Sequence, residues 1–162
     1  MTDMREELRQ ALEADESSDL DVIIHQRRPE DFEALRRLLA GDAAADPSHW
    51  AGVIYALGRW GDPAVAGAIR DLLPRLDHDE RITAIDALGR LGSREAVDGI
   101  LGYAHDESLP VRKFVARALA RINTPQARAG LSELERTDAS DYIRSLAAGL
   151  ERSSGGGPRP SR

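Results

Sequence analysis

Arg59, Arg90, Arg121 and Arg152 recur at intervals of 31 residues. A guanidinium is permanently charged and presents a flat fork of N–H donors that matches a carboxylate or a phosphate. Brought to one edge of a folded chain, such a set would hold an anionic partner. Each arginine also falls where a helix is expected to end, and there a cation complements the helix dipole by about 0.3–1 kcal/mol with no partner at all. The four histidines are His25, His49, His78 and His105. No two of them lie three or four residues apart, so no helix offers a two-histidine metal edge. His78-Asp79 and His105-Asp106 resemble each other, but a third and fourth ligand are missing. Their expected roles are a capping aspartate and a solvated turn histidine.

The other searches for chemistry come back empty. The chain has no cysteine, which removes thiolate chemistry and disulfides together. No nucleophile elbow, P-loop or dinucleotide fingerprint is present. Carboxylates are plentiful, yet none falls on an apolar column, so no acid/base pair with a shifted pKa is expected. The sequence therefore predicts no catalytic residues, no metal and no cofactor. Net charge is −6, concentrated in the first 49 residues. That sign argues against a general nucleic-acid binder, whose affinity comes largely from neutralising phosphates. No apolar run of about 18 residues exists to span a membrane, and the N-terminus lacks the apolar stretch of a secretory signal. A cytoplasmic protein is expected. Lys113 is the only lysine among 22 basic residues, the signature of a GC-rich, bacterial genome.

What positions the arginines is a repeat. Ala56-Leu57-Gly58-Arg59 recurs as Ala87-Leu88-Gly89-Arg90 and as Ala118-Leu119-Ala120-Arg121. After each copy comes a breaker: Gly61-Asp62-Pro63, Gly92-Ser93-Arg94 and Asn123-Thr124-Pro125. Gly or Asn closes a helix in the left-handed conformation. Asp, Ser or Thr caps the next helix, and proline suits its first position. Each unit is thus helix, tight turn, helix, over 50–80, 81–111 and 112–142. Apolar columns such as Leu57, Leu88, Leu119 and Ile69, Ile100, Leu131 recur at helical spacing. The Ala68, Gly99, Gly130 column stays small, which predicts close approach between neighbours. A lone pair cannot bury both faces, and stacking does so. The fold class is therefore all-α, an α-α superhelix of about ten helices. Residues 1–16 form an N-terminal capping helix with Met4, Leu8 and Leu12 on one face. Residues 17–152 make the solenoid, with 19–40 a looser upstream pair, and 153–162 a flexible tail.

Solvent-facing columns supply further binding candidates. On the first helices, Tyr55 and Phe114 are aromatics expected on the outer face. On the second helices, Arg70, Asp98 and Leu101 belong to a small, mildly acidic surface that could take a peptide or a helix.

The motif Ala-Leu-Gly-x-x-Gly-Asp-Pro at 56–63, with Val111-Arg112 opening the third unit, resembles the short HEAT-like repeats first noted in phycobilisome lyases. The resemblance implies an armadillo-type solenoid that binds protein. The first unit has His49-Trp50, and the second Glu80-Arg81, in place of the Val-Arg pair. Asp77, Asp79 and Asp106 match the family's aspartate only approximately, so no regular Asp–Arg ladder between repeats is expected. Similar scaffolds with catalysis include the phycobilin lyases and deoxyhypusine hydroxylase. The latter holds iron with His-Glu pairs, which are missing from this chain. The expected function is a non-catalytic adaptor for a protein partner. The alternatives are a phycobilin-lyase-type enzyme or accessory, and nucleic-acid binding through the arginine stripe.

Overall fold

The computed structural model describes residues 5–14, 17–41 and 50–155. Among them there are ten α-helices and no strand: α1 (Glu6–Glu13), α2 (Ser17–Gln26), α3 (Pro29–Leu39), α4 (Trp50–Trp60), α5 (Ala66–Leu72), α6 (His78–Leu91), α7 (Val97–Leu101), α8 (Leu109–Ile122), α9 (Pro125–Thr137) and α10 (Asp141–Ser154). None is long and apolar enough to cross a membrane. Met4, most of the 41–48 loop and residues 156–162 lie outside the described residues.

The breakers act as their chemistry dictates. Gly61, Gly92 and Asn123 all take positive φ and end α4, α6 and α8. Asp62 accepts a hydrogen bond from the Ala64 amide at 2.9 Å, and Thr124 accepts one from the Ala127 amide at 3.1 Å. Ser93 holds the extended N-cap conformation without a side-chain bond. Asp77 and Glu80 close a reciprocal capping box on α6, satisfying two amide donors at once. Upstream, α2 ends at Arg27, which adopts the left-handed conformation that glycine or asparagine takes elsewhere.

First helices stack on first helices, in the order α2, α4, α6, α8, α10, and the apolar columns lie between them. Leu57, Leu88, Leu119, Ile69 and Ile100 are fully buried. The second helices of the first two units are shorter than the pattern predicts. Both open with a 3₁₀ turn, and α7, which contains Gly99, stops after five residues at Gly102. Glycine loses the most backbone entropy in a helix. In the third unit the second helix is one continuous element, α9.

Two carboxylates lie in the interior, where none was expected. Asp31 and Asp138 are buried. Arg5 grips Asp31 with two nitrogens, at 2.8 and 2.5 Å, tying the chain just before α1 to the first turn of α3. Arg112 grips Asp138 at 2.8 and 3.3 Å, and its remaining nitrogen donates to the carbonyls of Asp106 and Glu107. The second unit has a weaker version, with Arg81 standing 3.9 Å from Asp106 and donating to the Leu76 carbonyl at 2.8 Å. Two rungs of an Asp–Arg ladder therefore exist, although the aspartates match the family's position only approximately. In the first unit Trp50 holds the arginine position.

Candidate functional site

Stacking brings the last turns of α4, α6 and α8 together, and with them Arg59, Arg90 and Arg121. Their side chains converge on two aspartates. Asp86 accepts from Arg90 at 2.7 Å and from Arg121 at 2.5 Å, so it bridges adjacent repeats. Arg59 stands 3.4 Å from Asp21, which also accepts the Tyr55 hydroxyl at 3.0 Å. Burial opposes ionisation of Asp86, but hydrogen bonds and charge from Arg90 and Arg121 outweigh it and hold the carboxyl below its ordinary range. Tyr55 is pushed the other way, by burial first and by its bond to Asp21 second, so its hydroxyl stays a neutral donor.

Beside this network runs an open groove of about 640 Å³. Arg27, Arg59, Arg90 and Arg121 line it, together with His25 and the backbone of four glycines, and among the described residues no carboxylate faces into it. Arg27 is fixed by its bond to the Trp60 carbonyl at 2.9 Å, with its guanidinium 5.8 Å over the Trp60 ring. Tyr55 and Phe114 border a smaller adjoining notch, which shares Gly58, Arg59 and Arg90 with the groove. Five of the candidate residues thus form one contiguous surface. Arg152, on α10, lies outside both cavities.

The other three candidates sit elsewhere, on the second helices. Arg70 donates to Asp71 at 2.8 Å, and its stem lies over Gly99. Leu101 fills the space over Gly130. Asp98 is exposed and bonded to Gln126. Arg70 and Leu101 thus pack across repeats on the small column, which does permit the close approach its composition suggested.

Sequence reasoning misses three contributors. Asp21 and Arg27 belong to the upstream pair, outside the 31-residue period, and no spacing signals them. Asp86 does carry a signal, since it stands four residues before Arg90, the spacing of a helical ion pair. Tyr55 is half-buried because α2 covers that side of α4, where Gly52 packs against Leu12 and Leu20.

His78 forms a relay-like set of contacts, with Nδ1 2.8 Å from Asp79 and Nε2 2.6 Å from the Ser108 hydroxyl. Asp79 is 92% exposed, so its pairing is screened by water. The Ser108 hydroxyl also caps α8, accepting from the Val111 amide. The set ties the start of α6 to the start of α8. No group of three or more metal-ligating side chains is present among the described residues.

Residues 69–151 match the family model for HEAT repeats. No curated protein matches the chain. Among solved structures, the chain is similar to one in the complex of CpcE and CpcF of phycocyanin lyase from Nostoc sp. PCC7120. The TM-score is 0.61 and the identity 17%, over 88% of this chain and 98% of that one. At that identity the likeness is one of fold.

Proposed function

Because the chain belongs to the HEAT-repeat family, we propose that it is a non-catalytic scaffold, working in the cytoplasm, that holds a protein partner on its arginine edge. One observation carries this reading. Arg27 from the upstream pair and one arginine from each repeat line a single groove, on a protein whose net charge is −6. Such a local reversal of sign attracts an acidic surface and sets its register. The similar solved structure is itself a complex of two proteins, which agrees with a scaffold that works by binding.

A pull-down tests this, with wild type beside an Arg59→Glu, Arg90→Glu, Arg121→Glu triple variant as bait in lysate of the source organism. The expected result is one protein retained by wild type, released by salt, and lost from the variant. No specific protein on wild type, or equal retention by both, would overturn the reading. The likeness to a phycocyanin lyase chain supports a second reading, assistance in chromophore attachment, with the guanidiniums of the groove holding bilin carboxylates. That reading requires a shift in bilin absorbance on mixing, and an unchanged spectrum removes it.

A further inference from the structure

The smaller notch has a character of its own. It lies across α4, α6 and α8, with Tyr55, Phe114, Ile82, Thr83 and Ala87 among its walls. Its volume is about 160 Å³. Cavities that take whole small ligands run from roughly 300 Å³ upward, so this one fits a single side chain. Both aromatics are only half-buried, so their rings are available at the surface. Half-buried aromatics beside arginines are the composition of an anchor pocket, where one inserted side chain supplies most of the binding energy.

The rim specifies what surrounds that side chain. Arg59 and Arg90 stand on the boundary with the larger groove. Lys113 and Arg117 flank the ring of Phe114, each with its charge 5.6 Å from the ring centroid. The carboxylate lining the notch is Asp86, which two arginines already hold. Resting on the scaffold reading above, we infer that the notch anchors one large apolar side chain of a partner segment whose flanking residues are acidic. The apolar residue enters between Tyr55 and Phe114, and the flanking carboxylates reach the cations nearby, Arg59 and Arg90 at the notch and Lys113 and Arg117 at the Phe114 ring. A nucleic-acid strand is disfavoured, because the notch is walled largely by apolar groups and carries the Asp86 carboxylate, which suits an apolar side chain better than a polyphosphate backbone.

A random peptide library displayed on phage, selected against the immobilised full-length protein, tests the anchor. Thr83→Phe would fill the notch from one of its own walls while leaving every arginine in place as a residue, and its circular dichroism spectrum checks that the fold survives. The expected result is enrichment of sequences with one Leu, Ile, Phe or Trp flanked by Asp or Glu. Their capture should fall about tenfold or more on Thr83→Phe and on Arg90→Glu. Selection of acidic sequences with no apolar anchor, indifferent to Thr83→Phe but lost on Arg90→Glu, would overturn the anchor and leave the scaffold reading standing. Selection of no common pattern would also overturn the anchor, while the pull-down judges the scaffold reading separately.

Discussion

Replacing Arg112 with alanine is expected to destabilise the fold by about 3–5 kcal/mol, the usual result of breaking a buried ion pair by removing one partner. The Asp138 side chain is 1% exposed and that of Arg112 12%. Removing the guanidinium would strand the carboxylate in the interior with the Ser140 amide as its remaining donor. The carbonyls of Asp106 and Glu107 lose their donor in the same step. For a chain of this length the midpoint of thermal unfolding should fall by about 10 °C, given roughly 2–4 °C per kcal/mol. Circular dichroism against temperature reads the effect directly. Arg136→Ala is the control, because that arginine pairs with Glu133 on the open surface of α9, at 72% exposure. Exposed pairs contribute about 0–1 kcal/mol. Equal loss from the two variants would show that Asp138 finds water or another donor when Arg112 is gone.

This pair marks where sequence reading stops. Helix ends were legible because single residues make them: Gly61, Gly92 and Asn123 turn the chain, and Asp62 and Thr124 cap the helical turns beyond. The apolar columns were legible because a period of 31 residues repeats them. Asp138 was not, because the strict period places it one position away from Asp106. The two Asp–Arg separations differ accordingly, 26 residues in the third unit against 25 in the second. The split α7 and the continuous α9 bring their aspartates to the loop after different numbers of residues. The candidate site was legible in the same uneven way. Arg59, Arg90 and Arg121 share a repeat position, and stacking unites them. Asp21 and Arg27 come from a part of the chain with no counterpart in the motif, and only three-dimensional packing brings them to the edge.

The same glycine-to-alanine change should have opposite signs at two positions. At Gly67, on half-exposed α5, a methyl group would meet nothing within 4 Å. Alanine there should stabilise by about 0.5–1 kcal/mol, through helix propensity and a less flexible unfolded chain. At Gly58 a methyl group would sit 2.6 Å from Cβ of Ala87 and 2.9 Å from its Cα. No carbon approaches that closely, so α4 and α6 must separate, and overpacking of this kind costs about 1–3 kcal/mol. Urea midpoints of the two single variants decide the sign. The mechanism is decided by a third protein, Gly58→Ala combined with Ala87→Gly, which moves the methyl from one helix to the other. If steric overlap is the cause, the pair should recover about 1 kcal/mol or more relative to the sum of the singles. Recovery should be partial, because the Ala87 Cα remains close. Additive losses would mean that Gly58 matters through its own backbone. The distance between these helices also governs the binding edge, since Arg59 rides on α4 and Arg90 on α6. Gly58→Ala should therefore weaken partner capture even at temperatures where the variant is fully folded, whereas Gly67→Ala should leave capture unchanged.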